Sequence, residues 1–262
     1  MTIPTPGETL AFAHVLADAA RAAILPYFRA ASGIENKALV GFDPVTLADK
    51  AAEQAMRDVI RTHRRDDAII GEEFDDHKGS SGWTWVLDPI DGTRAFIAGT
   101  TTWGVLIGAR LNEKSTVGIM DQPFADERWA ACPDRAFWSR GRARAPLMTR
   151  KNIKLEEALL ATTDPFLFEG AKFERFMALR TATRLTRYGL DCTAYALLAH
   201  GHIDLVVEPD LKDVDIAALI PIIEVAGGVV TDWQGRHNPQ GGDILAAGCP
   251  ALHAKVLAML AA

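Results

Sequence analysis

Cysteine is scarce in this chain. Cys132, Cys192 and Cys249 are widely separated and form no Cys-x-x-Cys pair. They read as buried free thiols of a reducing compartment, which excludes a disulfide framework and a cysteine zinc site. Long apolar runs are missing too: none approaches the roughly 20 residues that span a bilayer, so no membrane association is expected. Met1 to Gly7 lack the basic start and apolar block of a signal peptide, and a cytoplasmic location is expected. There is no surplus of basic charge. A formal net charge of −6 and a pI near 5.7 argue against general nucleic-acid binding. Internal repeats and low-complexity linkers are also lacking, and 262 residues suffice for one large core or two closely packed ones.

What the chain does have is carboxylates at the ends of apolar segments. Trp83-Thr84-Trp85-Val86-Leu87 runs into Asp88-Pro89-Ile90-Asp91-Gly92-Thr93. Pro89 pins φ and offers no N–H, while Gly92 can take conformations closed to other residues. The Ile90 carbonyl is then free to point the same way as Asp88 and Asp91. Two carboxylates and a carbonyl on one side of a rigid turn form a hard-oxygen site suited to Mg²⁺, and Gly92-Thr93 suits a phosphate oxygen. Taken alone, Asp-Pro-x-Asp-Gly reads equally well as a polar turn after a strand.

Three further acidic segments tip that balance. Ala68-Ile69-Ile70-Gly71 ends in Glu72-Glu73, Asp49 opens a helical stripe of Ala52, Met56, Val59 and Ile60, and Asp215 opens an alanine-rich run ending at Gly227-Gly228. Carboxylates pooled at one sheet end repel one another and call for bound cations.

Helical spacing of Leu10, Ala13, Ala17, Ala20, Ile24 and Phe28 predicts a first helix, ended or kinked by Pro26. The middle reads as strands at 68–71, 83–87, 103–111, 116–121 and 128–131, with Gly99 and Gly104 at turns or close backbone approaches. Beyond Leu155, helices near 173–179, 192–200 and 250–260, and one from Asp215, alternate with strands near 185–187, 203–207, 229–232 and 244–246. The fold class is therefore α/β, with an α+β half at 1–145 carrying most of the candidate ligands. An α/β half at 146–262 carries Asp215 and the specificity residues.

The ordered set Asp49, Gly71-Glu72-Glu73, Asp88-Pro89-Ile90-Asp91-Gly92-Thr93, Asp215 and Gly227-Gly228 resembles the inositol monophosphatase superfamily of Mg²⁺-dependent phosphatases, over most of the chain. One departure is Val214, where that family has tryptophan; this side chain packs and does not ligate, so the departure bears on subfamily. The resemblance implies a layered α-β-α-β-α sandwich of the inositol monophosphatase and fructose-1,6-bisphosphatase type, with the site between the halves. It implies Glu72, Asp88 and the Ile90 carbonyl for one Mg²⁺, and Asp88, Asp91 and Asp215 for a second. Asp49 and Thr93 would polarise the attacking water, with a third, weaker Mg²⁺ there. Glu73, adjacent to Glu72 on an extended segment, should point the other way.

The resemblance also implies that Arg187 and Glu208, at strand ends, touch the non-phosphate part of a small-molecule ester, beside Gly92, Thr93 and Asp215. Asp121-Gln122-Pro123 with Glu127-Arg128-Trp129, and Gly189-Leu190-Asp191-Cys192-Thr193-Ala194-Tyr195, are similar to the histidinol-phosphate phosphatase branch. There Asp191 would face a cationic amine or imidazole, or cap the helix that follows it. L-Histidinol phosphate, from histidine biosynthesis, is thus the expected substrate, with inositol 1-phosphate as the alternative. A homodimer is expected.

Some members of this superfamily act instead by binding RNA-polymerase-associated factors. The basic stretch Arg140, Arg142, Arg144, Arg150 and Lys151 is the feature that would serve such a role, although a solvated face explains it as well. His200-Gly201-His202 reads as a helix end, not a metal site. Trp83, Trp85, Trp103 and Trp129 read as core.

Overall fold

A computed structural model describes residues 3–30, 34–36 and 44–261. Helix α1 (Pro6–Ile24) begins on a capping box in which the Glu8 carboxylate accepts the Thr5 N–H at 2.8 Å and Thr5 Oγ1 accepts the Glu8 N–H. It ends just before Pro26, whose ring clashes with a preceding helical turn. A short antiparallel pair, β1 (Ile34–Asn36) and β2 (Pro44–Thr46), leads into α2 (Leu47–His63). This helix opens on a second capping box, Thr46 with Asp49, which fixes a candidate site residue in its first turn.

Seven strands form the first sheet: β3 (Ala68–Gly71), β4 (Trp83–Asp91), β5 (Gly104–Leu111), β6 (Lys114–Gln122), β7 (Glu127–Cys132), β8 (Arg135–Arg140) and β9 (Ala143–Pro146), in that spatial order. β3 runs parallel to β4, and the other neighbours are antiparallel. A short helix, α3 (Thr93–Ile97), follows β4. The second sheet comprises β10 (Leu159–Thr162), β11 (Leu185–Tyr188), β12 (Leu205–Leu211), β13 (Val229–Asp232) and β14 (Gly242–Ala247), in the order β11-β10-β12-β14-β13. It is mixed: β10 is parallel to β11 and β12, while β14 is antiparallel to β12 and β13.

The helices of the second half are α4 (Ala171–Ala182), α5 (Cys192–Ala199), α6 (Asp213–Ile216), α7 (Leu219–Val225) and α8 (Pro250–Leu260). Three apolar clusters define the layers. Leu10, Leu16 and Ile24 of α1 and Met56 of α2 pack with Trp85 and Ile107 on one face of the first sheet. The other face, through Leu106 and Met120, meets Tyr195 of α5 and Ile220 and Ile223 of α7, which also cover Val206 and Val230 of the second sheet. Phe176 of α4 and Val256 of α8 close the far side over Leu160 and Leu245. The order is thus α-β-α-β-α, and the central layer is shared by both sheets.

Five strands lay beyond the sequence patterns, the short pair β1 and β2 among them. β8 and β9 coincide with the basic stretch, where Arg135, Arg140 and Arg144 interrupt the apolar run. β9 is an edge strand, and arginine and proline there discourage pairing with another chain. β10, Leu159-Leu160-Ala161-Thr162, is too short for a periodicity to register. β4 also runs on through Asp91, because the acidic turn is itself part of the strand.

Candidate active site

The register of the first sheet assembles the site. Gly71 of β3 lies beside Leu87 of β4, so the next residues on the parallel strands, Glu72 and Asp88, emerge together. Asp88 opposes Leu106 and Asp91 opposes Gly104, with an irregularity between them. Such a bulge re-aims side chains that a regular pleat would send to opposite faces. The Asp88 carboxylate accepts the Ile90 N–H at 3.0 Å, and Thr93 Oγ1 donates to the Ile90 carbonyl at 3.1 Å. Gly92 turns the chain with φ of 81°. A side chain there would be strained, and its Cβ would lie 3.0 Å from Asp191.

Asp215 arrives from α6. Oxygens of Asp88, Asp91 and Asp215 all lie within 4.8 Å of one another. Asp91 also accepts the Cys192 N–H at 2.7 Å, so it caps α5 from outside. Asp191, although it occupies the cap position, makes no side-chain bond to that helix; its carboxylate is 3.5 Å from Thr102 Oγ1. The helix-capping reading of Asp191 therefore has no bond behind it. With φ of 45°, Asp191 also holds a left-handed conformation, a strain usually found at functional sites.

The electrostatics are those of crowded acids. Asp88 is 1% exposed, and burial followed by Glu72, Asp91 and Asp215 drives its carboxyl well above the ordinary range. Asp91 is raised by burial, Asp191 and Asp215. Burial lifts Asp49 and Asp215 to about 6 against the hydrogen bonds they accept from Thr46 and Lys212. Asp49 Oδ2 takes the Thr46 N–H at 2.8 Å and its hydroxyl at 2.6 Å, while the buried Oδ1 has no partner among the described residues. Unpaired buried oxygen and mutually repelling carboxylates are what a hard divalent cation relieves, and the all-oxygen donor set fits Mg²⁺.

A cavity of about 140 Å³ adjoins these acids, lined by Asp91, Thr163, Asp191, Tyr195, Glu208 and Asp215 among others. Glu208 is 2% exposed, accepts bonds from Thr162 Oγ1 and from the N–H and hydroxyl of Thr163, and is raised by burial to about 7. Arg187 stands apart: it is exposed on the edge strand β11 and makes no ion pair among the described residues.

Several positioning groups carried no motif. Glu53 and Arg57 form a buried ion pair on α2 at 2.7 Å. Glu53 accepts the Glu73 N–H at 2.8 Å, and Arg57 donates to the Phe74 and Asp75 carbonyls at 3.0 Å, so the pair clamps the segment bearing Glu72. Their i, i+4 spacing on an otherwise apolar face was the available signal. Arg110 of β5 holds Asp213 with two hydrogen bonds, fastening α6 to the first sheet. Lys212 donates its ammonium to Glu72 at 2.9 Å and its N–H to Asp215 at 2.7 Å.

The remaining conspicuous residues have structural partners. Val214 packs against Val86 and Ala217. His200 lies against Trp138 and His202. In the basic stretch, Arg144 lies over the Phe137 ring at 3.4 Å and Arg150 is paired with Asp204. Among the described residues no helix is long and apolar enough to cross a membrane.

Comparison with known proteins gives a consistent result. The sequence profile of the inositol monophosphatase family matches residues 6–262. A histidinol-phosphatase of Streptomyces coelicolor is 35% identical over 262 residues, 97% of each chain. Bifunctional phosphatase IMPL2, chloroplastic, of Arabidopsis thaliana is 41% identical over 228 residues, covering 86% of this chain and 64% of that protein, so the chain spans less than two thirds of that relative. The solved structure of an inositol monophosphatase from Zymomonas mobilis superposes with a TM-score of 0.86 at 42% identity, covering 98% of this chain and 99% of that one.

Proposed function

This chain belongs to the inositol monophosphatase family and is a phosphatase, and from that premise we propose that it hydrolyses L-histidinol phosphate with Mg²⁺ as cofactor. The observation that carries the substrate is the cavity wall. Asp191 and Glu208 add two carboxylates beside the Asp88-Asp91-Asp215 cluster, and among the described residues no basic side chain lines the cavity. An ester whose leaving group bears an ammonium and an imidazole complements such a wall; a neutral polyol does not require it. The histidinol-phosphatase relative of Streptomyces coelicolor, aligned over 97% of both chains, supports the same choice.

Glu72, Asp88, Asp91, Asp215 and the Ile90 carbonyl would hold the metal. Bound Mg²⁺ neutralises the phosphate, activates a water and stabilises the departing alkoxide. The protein's own groups do the rest. Asp49, with one buried oxygen that no described residue engages, would accept a proton from the attacking water. Thr93 orients the attacking water with it, and its hydroxyl is steadied by the Ile90 carbonyl. N–H groups at Gly92 and Thr93 take phosphate oxygens, and Asp191 faces the ammonium of the leaving alcohol.

Inositol 1-phosphate is the second reading, favoured by the 42% identity to the Zymomonas mobilis inositol monophosphatase. Phosphate release from the two esters, measured on one preparation with and without Mg²⁺, separates the readings. A higher kcat/KM on inositol 1-phosphate overturns the first.

A further inference from the structure

Tyr195 is 3% exposed on α5, yet among the described residues its phenol oxygen has no hydrogen-bond partner. An unpaired buried hydroxyl is costly and calls for an explanation; phenylalanine would fill the same apolar layer without that cost. The side chain lines the cavity beside the carboxylate cluster. Burial and the nearby Glu208, Asp91 and Asp215 keep the phenol protonated, so it can offer a proton to an acceptor. Glu208 is the first carboxylate to act on the phenol, yet it bonds Thr162 and Thr163 and forms no bond to Tyr195, which leaves it acceptor capacity for a ligand. The cavity thus presents an unengaged hydroxyl donor, Tyr195, among the acceptors Glu208, Asp191 and Thr163.

A neutral imidazole has the matching pattern, one N–H and one bare nitrogen. We propose that Tyr195 is a specificity-determining residue which donates its O–H to the bare ring nitrogen of the substrate, while Glu208 accepts from the ring N–H and Asp191 faces the ammonium group. This rests on the histidinol-phosphate reading. It adds a requirement that the reading lacks: the leaving group must carry a ring acceptor as well as positive charge.

The test is Tyr195→Phe, which removes one oxygen and leaves the packing volume intact. L-Histidinol phosphate is compared with 2-aminoethyl phosphate, which keeps the ammonium and lacks the ring. For L-histidinol phosphate kcat/KM is expected to fall about 5- to 30-fold, chiefly through KM, with no change for 2-aminoethyl phosphate. Calorimetric titration of L-histidinol into the Mg²⁺-loaded protein should show the same weakening. Equal changes for both esters, or none for either, overturn the assignment of Tyr195 alone. A wild-type protein inactive on L-histidinol phosphate overturns the substrate reading and the Tyr195 assignment with it.

Discussion

Among the described residues Asp88 accepts one hydrogen bond, from the Ile90 N–H; Asp91 and Asp215 cluster with it, and the charge of Glu72 acts on it as well. A carboxylate with that much unused acceptor capacity, set among other acids, is the position where a lost charge matters most. Asp88→Asn is predicted to lower turnover by several orders of magnitude at any practical Mg²⁺ concentration; more than a tenth of wild-type turnover would refute its bridging role. Asp191 makes a narrower prediction. Asp191→Asn should reduce kcat/KM for L-histidinol phosphate roughly ten- to a hundredfold, the worth of a charge-assisted hydrogen bond, and leave neutral esters nearly unaffected. A parallel loss on both would mean that the side chain supports the loop and recognises nothing.

Elements decide how far the site could be read in advance. Asp88, Asp91 and Glu72 were legible because each follows an apolar strand directly, and two parallel strands ending in acids meet at one sheet end. Asp49 was legible as a helix-opening acid, but its capping box with Thr46 was readable too and explains its fixed position. By contrast, Arg110–Asp213 pairs residues 103 apart in sequence, and no local pattern announces such a contact. Tyr195 entered only as part of the branch motif, since only the fold places it on a cavity wall. Arg187, singled out by resemblance, stands on an exposed edge strand.

The clamp on the Glu72 segment is an element-scale device with element-scale consequences. Glu53→Ala leaves Arg57 buried and unpaired, and should cost roughly 3–5 kcal/mol of stability while weakening Mg²⁺ binding. The exposed Asp58–Arg61 pair on the same helix is the control, worth at most about 0.5 kcal/mol. Gly71→Ala should be as severe, because its Cβ would fall 2.0 Å from the Glu53 carboxylate. Urea melts and calorimetric Mg²⁺ titrations check both; a Glu53→Ala protein with wild-type stability and Mg²⁺ affinity would remove the clamp from the account.

For the molecule as a whole, the acids fashion a dependence of stability on pH and metal. Unfolded, Asp49 and Asp215 ionise near 3.8; folded and without metal they hold their protons to about 6, and Asp88 and Asp91 are raised as well. The folded state binds more protons in that window, so these groups lower the stability of the metal-free protein as pH rises from about 4 through 6. His14, pressed down to about 4 by burial and Arg128, acts in the opposite direction. The readout is therefore the gain in Tm on adding Mg²⁺, which binds the ionised acids. It should be larger at about pH 7.5 than at about pH 5, and an increment independent of pH would contradict the assigned ligands. Because the central layer of α5 and α7 is shared by both sheets, loss of metal should not uncouple the halves, and melting should remain a single transition.

The α/β character followed from alternating strand and helix patterns and the layers from the family resemblance, while the substrate rests on a few side chains at one cavity wall. The most direct measurement is therefore phosphate release from L-histidinol phosphate and inositol 1-phosphate, side by side with Mg²⁺ and with chelator. The account predicts Mg²⁺-dependent hydrolysis with the higher kcat/KM on L-histidinol phosphate. Preference for inositol 1-phosphate, or release that persists in chelator, would contradict it.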